Sequence, residues 1–331
     1  MANPMNIVIA VPAGSRAMTR NAAGRRNLIL GVTSGLLVVL CWAGWVVATR
    51  FAVTTHLRPV DVAFLRYLVP AVVLLPVLLR RGFGPRQIGV MHTAMLVAGA
   101  GLPFLLVAST GMKFAPASDV GAVMVGTMPV FVAVFSAFVN RERFERVRVL
   151  GFLLVVLGIA GIAAHGLFDF HSGAWRGHLL FLAGAAMYAI FTVTFRRSGI
   201  GPWQAAAIVN FYSLLLIAPV YFLACEPRVL SAAPGEILTQ ALMQGVVAGI
   251  VALYFYGDAV RRLGASRAAV LGSFTPVVAA LAGIPLLGEI PNAVAWLAIL
   301  AVSAGVVLAS HGSAASAPTL TSASRARLPR N

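Results

Sequence analysis

Arg66 is the residue whose placement most demands a chemical explanation, because it falls about a turn and a half inside the apolar run from Val60 to Leu79. A guanidinium at that depth is costly in hydrocarbon unless it reaches water, a counter-ion or an anion. Its default is to snorkel to the outer surface or to pair with Asp61 or Asp119. The alternative is contact with the anionic group of a bound molecule, which makes Arg66 a candidate substrate-binding residue. Trp42 sits near the middle of another apolar run, away from the interfacial belts where tryptophan is usual. A shift of 146 residues lays Trp42 over Tyr188 and Arg50 over Arg196, so Trp42 and Tyr188 are paired candidates to face a cavity. Thr127 precedes Pro129, and Thr275 precedes Pro276. Proline frees backbone carbonyls within a helix, and in lipid those carbonyls must find hydroxyls, water or neighbouring helices.

No other side chains converge on a reaction. The nine acidic residues are scattered, and Asp258 has Arg261 and Arg262 at the spacing of helix-surface ion pairs. His165, Asp169, His171 and His178 lack helical zinc spacing and cysteine partners, so they read as solvated loop residues. Cys41 and Cys225 form neither a disulfide framework nor a metal motif. Gly-x-x-x-x-Gly-Lys and Gly-x-Ser-x-Gly are both missing from the sequence, which removes the support for ATP-driven pumping and serine hydrolysis. The expected catalytic, cofactor and metal complements are therefore none.

The elements that position these residues follow from composition. Sixty per cent hydrophobic and 10% charged residues lie far from the soluble average of roughly 25% charged, and apolar runs of about 20 residues recur, the length that crosses a bilayer. The reading is an all-α integral membrane protein with ten transmembrane helices at 28–49, 60–79, 89–111, 118–140, 148–166, 177–196, 203–224, 238–260, 267–287 and 292–311. The formal net charge of +16 follows membrane topology and gives no support to a nucleic-acid partner. With the N-terminus inside, nineteen Lys and Arg fall on the cytoplasmic side and five outside, which predicts that both termini are cytoplasmic.

A shift of 147 residues lays Asp119–Val130 over Ser266–Val277, with Pro129 on Pro276, Glu142 on Glu289 and Gly158 on Gly305. This is an internal duplication. Five helices per unit is an odd number, so the second unit enters the membrane upside down, giving two inverted five-helix repeats with a cavity at their junction. The expected organisation is a cytoplasmic, flexible tail at 1–27, repeats at 28–166 and 167–311, and a disordered cytoplasmic tail at 312–331. Glu142 and Glu289 close their apolar runs at opposite membrane faces, as caps, ion-pair partners or gates. Small residues such as Gly99, Gly121, Gly158, Gly161, Gly245 and Gly249 are assigned to close helix packing.

Ala117-Ser118 through Pro129 to Glu142, Gly264-Ala265-Ser266 through Pro276 to Leu287-Gly288-Glu289, Trp42, and Phe64-Leu65-Arg66 together resemble the drug/metabolite transporter superfamily, specifically its EamA-type ten-helix exporters. The resemblance covers about residues 28–311. It implies export of a small metabolite through a central cavity across the inner membrane, with the lipid bilayer as surroundings and a homodimer left open. Helix 1 lacks the carboxylate that small multidrug relatives use for proton exchange, and the cavity has no lysine of the kind sugar-phosphate exchangers use. The expectation is therefore a secondary transporter for a neutral, zwitterionic or weakly anionic metabolite such as an amino acid. The rival readings are a flippase for a lipid-linked sugar and a membrane-embedded transferase. The candidate substrate-binding set is Trp42, Arg66, Thr127, Tyr188 and Thr275, with Pro129 and Pro276 as kinks beside the cavity.

Overall fold

The computed structural model describes residues 13–140, 145–168, 173–263 and 265–311. Glu142, Asp169, His171 and the tail at 312–331 lie outside the described residues. Among those described, helices dominate and no strand occurs. Ten helical segments occupy the ten expected ranges. They are α1 (Ala13–Thr54), α2 (Pro59–Val73 followed by Leu75–Arg81), α3 (Val90–Gly111), α4 (Ala117–Phe138) and α5 (Arg146–Phe168). The second five are α6 (Ala174–Ser198), α7 (Pro202–Ala224), α8 (Pro234–Leu263), α9 (Ala265–Gly272 and Thr275–Leu287) and α10 (Ala293–His311).

Seven of these are long and apolar enough to cross a bilayer, and α2 makes an eighth when its arms, bent by 53°, count as one span. That number is of the described residues alone, among which α10 contributes the shorter apolar stretch Ala293–Ala309. The helix of α1 also begins at Ala13, well before the expected Leu28. The segment expected to be a flexible tail, Ala13–Asn27, therefore continues the first helix, because its alanines and arginines are good helix formers. The outer surface is apolar: Phe138, Leu223 and Ile290 are at least 80% exposed. Surface of this kind suits lipid and is rare on monomeric soluble proteins.

Helix contacts repeat when the first five helices are exchanged with the last five. The pair α1–α8 has its counterpart in α6–α3, α1–α9 in α6–α4, and α2–α8 in α7–α3. The pairs α2–α7 and α5–α10 are their own counterparts, and α5–α10 is the most extensive helix pair. Glycine makes that last contact possible. A Cβ on Gly151 would stand 2.6 Å from the Gly305 carbonyl oxygen, and one on Gly305 would stand 2.6 Å from that of Gly151. One on Gly158 would be 3.0 Å from the Ala298 oxygen. The partner number falls as the α5 number rises, so the two helices run antiparallel. A shift of 147 carries Gly158–Ala298 onto Gly305–Gly151, which makes them one contact seen twice. Val155, Val302, Val306 and Ile159 fill the same seam.

The two marked prolines act differently. In α9, Pro276 follows a break at Ser273–Phe274, and the freed Ser273 carbonyl accepts a 2.8 Å hydrogen bond from the Ser303 hydroxyl of α10. In α4, Pro129 lies inside an unbroken helix, and the irregularity comes earlier, as a π-helical stretch at Val120–Val125. There the Thr127 hydroxyl donates to the Val123 and Met124 carbonyls. A Cβ on Gly121 would be 2.6 Å from the Pro276 Cα, so the α4 and α9 segments pack directly on each other.

Gly151→Val should lower the thermal unfolding midpoint of the purified protein in detergent, since overpacking a close seam costs about 1–3 kcal/mol. Gly161→Ala should leave that midpoint unchanged or higher, because no atom lies within 4 Å of a Cβ placed there.

Candidate functional site

A cavity of about 50 Å³ opens between the two halves. Its wall takes Trp42 and Trp45 from α1, Arg66 and Tyr67 from α2, Ala100 and Phe104 from α3, and Val125 and Met128 from α4. The second half adds Tyr188 and Phe191 from α6, Ala206, Val209 and Asn210 from α7, and Ala248, Ala252, Leu253 and Tyr256 from α8. The last turns of two π-helical stretches, Val120–Val125 and Ala241–Val251, reach this wall. Such bulges recur at functional sites because they turn a helix face without ending the helix.

Trp42 and Tyr188, paired by the repeat offset, meet edge to face with ring centroids 6.4 Å apart. Trp42 also touches Tyr256 at 5.5 Å, and Tyr188 touches Phe104 at 5.6 Å and Phe191 at 5.4 Å. Trp45 stacks on Phe104 at 6.3 Å. The rings form a continuous aromatic lining.

Arg66 lies in the cavity wall and makes neither of the ion pairs expected of it. Its Cζ stands 5.6 Å from the Trp45 ring centroid. Its Nε and Nη1 are buried without a hydrogen-bond partner, as are Trp45 Nε1 and the Tyr67 hydroxyl. The acids expected to neutralise it are occupied elsewhere. Asp61 accepts from the Tyr221 hydroxyl at 2.7 Å, from the Arg228 amide at 3.1 Å and from the Arg58 amide at 2.8 Å. Asp119 meets His178 Nε2 at 2.7 Å and accepts from the Ser118 hydroxyl. His178 is thus a buried helix residue rather than the solvated loop residue expected. Among the described residues no acidic side chain lines the cavity.

Thr127, Thr275, Pro129 and Pro276 do not line the cavity. Thr127 spends its hydroxyl on its own helix, and Thr275 is fully buried. The wall also contains Trp45, Tyr67, Phe104, Phe191, Asn210 and Tyr256, none of them among the expected site residues. Tyr67, Asn210 and Tyr256 carry an available signal, polar groups inside apolar runs. Gln244 lies deeper, bonded to Thr49 and Gln240 as glue between α1 and α8.

The ends of four segments meet in a second polar cluster. Arg50 Nε lies 2.6 Å from Glu289 Oε1, and the other carboxylate oxygen accepts from the Ala117 amide at 2.8 Å. Arg50 Nη1 also donates to the Met112 carbonyl. This ties α1, the α3–α4 connection and the C-terminal end of α9 together. Asp258 joins α1 to α8, accepting from Ser34 at 2.9 Å as well as from Arg261 and Arg262. Among the described residues no group of three His, Cys, Asp or Glu is placed to hold a metal.

Arg66→Met should raise the unfolding midpoint of the ligand-free protein by a few degrees. Relief of buried unpaired donors is worth about 1–3 kcal/mol, against about 0.5–1 kcal/mol lost with the cation–π contact. A fall in that midpoint would show the guanidinium to be satisfied.

Comparison with known proteins agrees with this architecture. The EamA-like transporter family matches residues 29–164 and again 175–311. The uncharacterized inner membrane transporter YedA of Escherichia coli K12 is 27% identical over 261 residues, covering 77% of this chain and 82% of its own length, and its counterparts in strains O6:H1 and O157:H7 match equally. A solved crystal structure shares the fold with a TM-score of 0.59 at 22% identity, across 87% of this chain and 99% of that one. The chain, carrying the EamA unit twice around an aromatic cavity, belongs to the EamA-like transporter family and is a membrane transporter.

Proposed function

We propose that the chain is an inner-membrane secondary transporter that exports a small neutral, zwitterionic or weakly anionic metabolite by alternating access. On this reading it has ten crossings in two inverted five-helix repeats, with both termini cytoplasmic. The carrying observation is the antiparallel, self-equivalent α5–α10 seam together with the exchange symmetry of the helix pairs. Two halves related by a two-fold axis in the membrane plane can expose a shared cavity to either side at similar energy. The cavity draws on both halves, as that reading requires.

The Arg50–Glu289 cluster joins the two halves at the end expected to face outward. It holds that end closed in this conformation. Its side chains keep 17% and 23% of their exposure, so water reaches them and the pair can separate without leaving bare charges in hydrocarbon. The cavity volume is also far below the roughly 300–1,000 Å³ of ligand pockets. Entry of a metabolite therefore needs the aromatic lining and the helices behind it to move apart.

Joining positions 50 and 289 tests the mechanism. In a background where Cys41 and Cys225 are serine, Arg50→Cys with Glu289→Cys bridged by a short thiol reagent should reduce efflux from proteoliposomes by at least about tenfold, with recovery on reduction. Unchanged efflux through the bridged protein would remove alternating access at this end, and a reconstituted chain that moved none of a broad metabolite panel would remove transport.

A further inference from the structure

The orphan donors of the cavity wall identify the class of molecule it takes. A buried donor without a partner is costly, and native structures carry few of them. Here Arg66 Nε and Nη1 and Trp45 Nε1 are all in that condition, and the Tyr67 hydroxyl, beside Arg66 and Ser213, has no well-formed hydrogen bond, in three side chains that line one cavity. Arginine and tryptophan nitrogens can only donate. What is missing is an acceptor with several lone pairs, since Asp61 and Asp119 are engaged elsewhere and among the described residues no acidic side chain lines the wall.

We propose that the cavity binds an organic monocarboxylate with a flat apolar body, its two oxygens held by Arg66, Trp45 and Tyr67, in preference to the α-amino acid of the same skeleton. This inference rests on the transporter reading and narrows it.

Charge and shape both select this class. A carboxylate offers about four acceptor sites on two oxygens and fits a guanidinium fork. One negative charge cancels Arg66, whereas a dianion leaves a surplus charge in a low-dielectric site. A zwitterion brings an ammonium that finds no carboxylate in the wall and stands near a like charge. Aromatic faces could hold that ammonium, but cation–π contact supplies less than desolvating an ion costs. Behind the donors, Phe104, Tyr188 and Trp42 meet at tilted or edge-on angles, and a flat ring extends that set without filling a polar gap.

The test uses the intact purified chain and three probes on one carbon skeleton: 3-phenylpropionate, phenylalanine and phenethylamine. Specific ligands raise the unfolding midpoint with the logarithm of their excess. Phenylpropionate should bind at least about tenfold more tightly than phenylalanine, and phenethylamine should give no shift. Arg66→Met should weaken phenylpropionate by about 10–100-fold, the scale of a charge-assisted pair. Tyr67→Phe should weaken it by about 3–10-fold, the scale of one lost hydrogen bond. If Arg66→Met does not fold, Tyr67→Phe and Trp45→Phe decide.

Equal or tighter binding of phenylalanine, no phenylpropionate shift, or phenylpropionate binding unchanged in the folded variants would overturn the proposal. Binding of phenylpropionate by a chain that transports nothing after reconstitution would sink the transporter reading alone. Transport of phenylalanine uninhibited by phenylpropionate would sink this inference and leave the transporter standing.

Discussion

The backbone-to-backbone approach of α5 and α10 is the constraint on which the rest of the arrangement depends. Lipid tails are as apolar as leucine, so helices in a bilayer gain little by hiding apolar surface from one another and associate through close packing. Gly151 and Gly305 permit an approach that a Cβ would block, and Gly158 one that a Cβ would crowd. Because the same contact is made twice by residues 147 apart, the seam fixes how the halves face each other. The other helix pairs then follow in matched sets: α1 lies against α8 and α9 as α6 lies against α3 and α4. The cavity forms where α1 to α3 and α6 to α8 face each other with α4 at the edge, while α5 and α10 stay out of its wall.

Polar groups in this bundle divide by whether the protein completes them. Asp61, Asp119 and Asp258 each collect partners from another helix or loop, as buried carboxylates must, and the partly exposed Glu289 does the same. Arg66, Trp45 and Tyr67 have atoms left over at one cavity. Satisfied acids hold helix ends and helix faces in register. Unsatisfied donors stabilise nothing in the ligand-free protein and gain meaning only through what enters, the exchange of stability for function that binding sites make.

Much of this was legible in the sequence, and the illegible part has a physical pattern. The doubling around Pro129 and Pro276 marked the family and the two units. The break before Pro276 follows from a missing amide, but Pro129 sits in continuous helix because a π-helical stretch earlier in α4 absorbs the irregularity. Thr127 and Thr275 were reasonable hydroxyls at membrane depth. Depth is what a linear pattern gives, however, and the direction around the helix axis decides whether a hydroxyl meets a cavity or its own backbone. Arg66 shows the same limit in reverse: its depth was clear, while the engagement of Asp61 by Tyr221 and Arg228, 160 and 167 residues away, could not be seen locally. Phe104 and Phe191 gave no signal, since an aromatic ring in an apolar run reads the same against lipid, core or ligand. The offset that paired Trp42 with Tyr188, two rings that meet in the cavity wall, used symmetry, which carries three-dimensional information that spacing alone lacks.

The placement of the Arg50–Glu289 pair bears on how such a molecule can change shape. A fully buried pair would cost several kcal/mol to separate, because each ion would be left bare, and a fully exposed pair would contribute almost nothing to closure. This pair lies between those limits, partly exposed and bonded further to the Ala117 amide and the Met112 carbonyl. Those backbone groups are freed at the turn before α4, so water can replace each bond as the end opens. The contracted cavity beneath has no equivalent exchange, since its orphan donors are sealed among rings. On the alternating-access reading proposed above, opening would relieve the cavity as it strained the cluster, two opposing changes that would bring the closed and open arrangements closer in free energy.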